Sequence, residues 1–132
     1  MKFLLPVLAA VAFAAPAMAQ DEPGTPTEGE LELAKLIEGR EAGEPQRCVF
    51  NLRTANLRVI DGTALVYERG SQLYVNIPRN ARSIDDSDII VTRPQGNRLC
   101  RTDLVTTRDR FNNFYTGNIF LEDFVPYRRV DD

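Results

Sequence analysis

The sequence predicts an all-β fold, a small antiparallel barrel or sandwich of about seven short strands with one disulfide, preceded by an acidic arm that carries a short α-helix. Three observations carry that expectation. From Arg47 onward, short runs rich in Val, Ile, Leu, Thr and Tyr recur between turn formers such as Asp61-Gly62, Arg69-Gly70 and Pro94-Gln95-Gly96-Asn97. Cys48 and Cys100 lie inside such runs rather than in a redox-type CxxC pair. The composition also changes at residue 46, from acidic and apolar-poor to strand-like.

Met1–Ala19 reads as a secretory signal peptide cleaved after Ala19. Lys2 supplies the charged n-region, Phe3–Pro16 the apolar h-region, and Ala17-Met18-Ala19 the small-x-small cleavage site. Export places the protein in the periplasm. Removing 19 of the 132 residues leaves 113, and the loss of Lys2 takes the formal net charge from −3 to −4. Gln20–Gln46 holds eight acids against Lys35 and Arg40, and prolines and glycines punctuate both ends, so most of it is expected to be a solvated linker. A helix fits within it over residues 27–39. Thr27 caps, Glu30 completes a capping box, Leu33, Ala34, Leu36 and Ile37 share one side, and Gly39 stops it. About three turns is marginal for an isolated helix, so it is expected to pack on its own domain.

The β-domain spans residues 47–132. Leu57–Ile60, Asp61-Gly62 and Thr63–Glu68 form a strong hairpin signal, and Arg69-Gly70 marks a second turn before Ser71–Ile77. Two-residue loops at both turns would set Val59 opposite Ala64 and Val66 opposite Leu73. Leu57, Val59, Ala64, Val66, Leu73, Val75 and Ile77 would then share one apolar face. The other face would receive Arg58, Ile60, Thr63, Leu65, Tyr67, Gln72, Tyr74 and Asn76. Further strands are expected at Cys48–Leu52, Ile89–Arg93, Arg98–Val105, Asn118–Leu121 and Phe124–Tyr127, with Pro126 confining the last to an edge or end.

The absence of histidine excludes His-based triads, imidazole acid–base chemistry and His-ligated zinc or haem. No cofactor is implied. After the leader no apolar stretch approaches the roughly 20 residues that span a bilayer. Thirteen arginines against eleven acids beyond residue 46 are spread out and form no basic stripe for nucleic acid. In an exported chain Cys48 and Cys100 are expected to pair as a structural disulfide, which leaves no thiolate nucleophile. Asp85-Asp86-Ser87-Asp88 is the densest carboxylate run, but Ile90 and Val91 stand where a calcium loop needs an oxygen ligand and a glycine, so no metal site is assigned. Paired carboxylates for glycoside hydrolysis would come from Asp61, Asp103, Asp109, Glu122 and Asp123, and nothing in their spacing selects a pair. Phe111–Gly117 is either a recognition loop or a connection that tucks its rings inward, and the second is expected in a small core.

The stretch from Gly43 to Arg129 resembles a group of small exported proteins of alphaproteobacteria, the sphingomonads especially. The matching pieces are Arg47-Cys48, Val59–Ala64, Tyr74-Val75-Asn76 with Pro78-Arg79, Ile89–Arg93, Leu99-Cys100-Arg101 with Asp103, and Asp123–Tyr127. The resemblance implies a periplasmic domain. That family has no assigned activity, so it transfers no catalytic or binding residue. The expected function is a non-catalytic periplasmic or secreted β-domain that binds or accompanies an envelope protein partner, in a sharper form as a hydrolase inhibitor. The candidate contact residues are Arg58, Tyr67, Tyr74, Tyr127 and Arg128, which offer aromatic and guanidinium groups. The alternative is a carboxylate-dependent hydrolase acting on envelope glycans.

Overall fold

A computed structural model describes residues 24–130, so the expected signal segment Met1–Ala19 lies outside the described residues. In chain order the elements are α1 (Glu28–Ile37), β1 (Arg40–Ala42), β2 (Cys48–Phe50), β3 (Asn56–Ile60), β4 (Ala64–Arg69) and β5 (Gln72–Asn76), followed by β6 (Ile89–Thr92), β7 (Arg98–Cys100), β8 (Val105–Arg108), β9 (Tyr115–Ile119) and β10 (Val125–Arg129). The strands form antiparallel sheets, a five-stranded one in the order β1-β10-β5-β4-β3, a three-stranded β6-β8-β9 and a two-stranded β2-β7. The all-β sandwich expected from the sequence is thus present, with ten strands among the described residues. Cys48 and Cys100 face each other across β2 and β7 and are joined by the expected disulfide.

β4 sits inside the large sheet, and Ala64, Leu65, Val66 and Tyr67 are all buried because both of its faces are covered. On one face Leu65, Tyr67 and Tyr74 meet Val49, Leu99, Val105, Ile119 and Phe124 from the smaller sheets and the segment before β10. On the other, Ile60, Ala64, Val66, Leu73 and Val75 meet Leu33, Leu36 and Ile37 of α1. The helix therefore docks on its own domain. Thr27 caps it as the sequence indicates, its hydroxyl accepting from Glu30 N (3.2 Å) while the Glu30 carboxylate accepts from Thr27 N (3.0 Å). The segment read as a solvated linker also contributes β1, which pairs with β10 at Arg40↔Arg129 and Ala42↔Tyr127.

Four local readings are corrected. Ile60, not Val59, lies opposite Ala64, so Asp61-Gly62-Thr63 forms a three-residue connection. Thr63 N donates to Ile60 O at 3.0 Å and Gly62 has φ +60°, while Asp61 stays out of the left-handed region that a type I′ turn needs at both positions. That one-residue change turns Ile60 toward α1 and Val59 toward the smaller sheets. The second turn shifts register by two, setting Val66 opposite Val75, and so leaves each face intact. Next, the strand expected over Arg98–Val105 breaks into β7 and β8. Asp103 interrupts it, its carboxylate accepting from Cys100 N at 2.7 Å and its own N–H donating to Cys100 O at 2.9 Å. Lastly, β10 is not an edge strand, because β1 and β5 flank it. Pro126 is tolerated there because its nitrogen, like its carbonyl, points toward Gly43, just past the end of the β1 ladder.

Candidate functional site

The residues proposed from sequence as a contact surface do not form one exposed patch. Tyr67 and Tyr74 are cross-strand neighbours on the face covered by the smaller sheets, and both are buried. The Tyr67 ring packs edge-on against Phe124, with centroids 6.0 Å apart, and burial pushes its phenol pKa well above the ordinary value. Tyr74 accepts from Arg69 Nη2 and donates to Gln72 Oε1, each at 2.8 Å. Arg58 pairs with Glu68 at 3.0 Å. Tyr127 is half-buried against the core beneath α1, and Arg128 is exposed opposite Glu41 at the sheet edge. Both tyrosines are core residues because the sandwich has a second layer on that face.

The carboxylates considered for hydrolysis are each engaged in the structure. Asp61 accepts from Asp86 N (3.1 Å) and Asp103 from Cys100 N. Glu122 bridges Arg79 (3.3 Å) and Arg101 (3.1 Å), and Asp123 also pairs with Arg101 (3.0 Å). The fold also brings Asp61 beside Asp85 and Asp86, their carboxylate oxygens within 4.8 Å of one another on the surface. Asp85 accepts from both the Ser87 hydroxyl (2.6 Å) and Ser87 N (2.9 Å), which holds its carboxyl below the usual aspartate range.

The most distinctive surface is the β8–β9 hairpin, where the rings expected to tuck inward point into solvent. Phe111 is 93% exposed, Phe114 70% and Tyr115 62%. Their display follows from the residues between them. One Asp109 carboxylate oxygen accepts from Phe111 N (2.8 Å) and Asn112 N (3.1 Å), and the Asp109 carbonyl accepts from Asn113 N (2.9 Å). Asn113 takes the left-handed conformation at φ +61°, and Phe114 N donates to the Asn112 side chain at 2.9 Å. Asp109 N donates back to Phe114 O at 2.8 Å and closes the loop. With those amides satisfied locally the loop is a fixed turn, and both phenylalanines stand on its outside.

The hairpin stem is also tied down. The Thr107 and Thr116 hydroxyls are 2.7 Å apart, Thr116 donates to Asp88 at 2.9 Å, and Arg110 Nε donates to Ser87 O at 3.1 Å. Tyr115 donates its hydroxyl to Asn118 at 2.8 Å. A readable signal existed in the sequence. Asp109 and Asn112 spend their side chains on local backbone and Asn113 takes the left-handed conformation, which are the residue types of a tight turn.

Fold and site define a small disulfide-linked antiparallel β-domain that carries a preorganised aromatic hairpin. No protein-family model, curated protein or solved structure matches the chain.

Proposed function

We propose that the protein is a non-catalytic periplasmic β-domain that binds an envelope protein partner through the β8–β9 hairpin. The observation that carries this reading is the hydrogen-bonded loop that holds Phe111 and Phe114 out in water. Burying one phenylalanine on a partner contributes about 1.5–3 kcal/mol, and a loop already ordered loses little further entropy on binding. A disulfide is compatible with an exported chain, and the leader-like Met1–Ala19 and the resemblance to exported proteins point the same way. Engagement of the candidate carboxylates by backbone amides and arginines favours binding over glycan hydrolysis.

The test is crosslinking in the intact periplasm with the wild-type chain and with Phe111→Ser/Phe114→Ser. Both rings are exposed, so the double variant should keep the wild-type melting temperature and lose the crosslinked species. A crosslinking pattern unchanged in a folded double variant would overturn the hairpin as the contact.

A further inference from the structure

The hairpin stands beside a net acidic cleft. A cavity of about 540 Å³ opens between the start of α1 and the Asp61-Gly62 turn, and its charged lining is Glu28, Glu30, Glu32, Asp61 and Asp86 against Arg82 alone. Among the described residues none of these five carboxylates forms an ion pair. Asp86 is joined directly to Ser87, whose carbonyl receives Arg110 from the base of the aromatic loop, so cleft and rings belong to one end of the molecule. Arg110 Nε donates to Ser87 O and Arg108 Nη1 to Asn113 O at 3.4 Å, so both stay charged at the hairpin base, where the acids of the cleft outnumber them. Asp88, at the same end, receives the Thr116 hydroxyl.

Resting on the hairpin reading above, we propose that the partner is a basic protein that places an apolar socket over Phe111 and Phe114 and cationic side chains in the acidic cleft. Signs decide between partner classes. An anionic lipid surface would be repelled by Asp61, Asp85 and Asp86, whereas a cationic groove of the kind that enzymes of polyanionic polymers carry would be attracted and steered. A projecting rigid loop also fits a concave site, which connects this surface to inhibition of a basic hydrolase.

The experiment titrates the chain from Gln20 onward against a basic lysozyme, the same lysozyme with its lysines acetylated, and vesicles of phosphatidylcholine with or without phosphatidylglycerol. Lysozyme should bind, with Kd rising roughly tenfold between about 50 and about 300 mM salt. Acetylation, or the combined D61N/D85N/D86N substitution, should weaken binding roughly tenfold at low salt and flatten the salt dependence. Asn keeps the acceptor oxygen that Asp61 and Asp85 use, so the turn should survive. Phe111→Ser/Phe114→Ser should weaken binding without changing the salt slope. Failure to bind lysozyme, indifference to acetylation and to the Asn substitutions, or a preference for vesicles would overturn the basic partner and leave the hairpin reading standing. Binding that depends on charge yet ignores both phenylalanines would overturn the hairpin reading itself.

Discussion

Single residues show how tightly polar groups are managed around the central strands. Asn76 is fully buried, and its amide acts as a short piece of strand, accepting from Glu122 N at 3.0 Å and donating to Glu122 O at 2.6 Å. Tyr67 is the counterexample. Among the described residues its hydroxyl is the only buried side-chain polar atom without a hydrogen-bond partner. A buried unpaired hydroxyl costs stability that a phenyl ring of the same shape avoids. Tyr67→Phe should therefore leave stability unchanged or raise it by about 1 kcal/mol, read as the urea midpoint at constant slope. A clear loss would mean that the hydroxyl holds a buried water. Neither role is visible in the sequence, because an alternating strand marks Tyr67 and Asn76 alike as members of a mixed face, covered by a second layer or used for contact.

At the scale of elements, α1 is specified by its own residues but positioned by one glycine. Thr27, Glu30, Leu33, Leu36 and Ile37 define the helix and its apolar side. Gly29 decides how near its first turn can come to the Asp61-Gly62 connection. A Cβ at Gly29 would lie 2.6 Å from the Asp61 carbonyl oxygen and would also strike the Thr63 hydroxyl. Helix propensity favours Ala over Gly by about 1 kcal/mol, so propensity alone makes Gly29→Ala stabilising. Contact with the turn backbone reverses that sign, and the variant should melt at a lower temperature than wild type. A higher melting temperature would show that α1 does not rest on this turn. The hairpin teaches the same lesson from the other side. Its loop conformation was legible in Asp109, Asn112 and Asn113, whereas the outward display of its rings contradicts the expectation drawn from core size alone.

Across the whole molecule, the central strands of the five-stranded sheet are buried on both faces, by α1 and by the smaller sheets. The disulfide closes a loop of sequence separation 52 between β2 and β7. In the chain-entropy view such a closure contributes about 4 kcal/mol, a large share of what a domain this size commands. Cys48→Ser/Cys100→Ser should shift the denaturant midpoint by about that energy, and reductant should do the same to wild type but nothing to the double variant. A midpoint insensitive to reductant would show that the small sheet holds without its crosslink.

The β-class, the three meander strands, the capped helix and the cysteine pair were legible in the sequence, because alternation, turn formers and capping boxes act over a few residues and are written locally, whereas β1, the break between β7 and β8 and the reach of β9 back to Tyr115 were not. Tertiary structure alone decided which face Val59 and Ile60 take, that Tyr67 and Tyr74 are core, that β10 lies inside the sheet, and that the aspartates at 61, 85 and 86 meet beside the aromatic hairpin. Those outcomes depend on a one-residue turn length and on layers brought from distant parts of the chain. A local pattern records that a face is apolar or polar, and only the packed molecule determines what covers it.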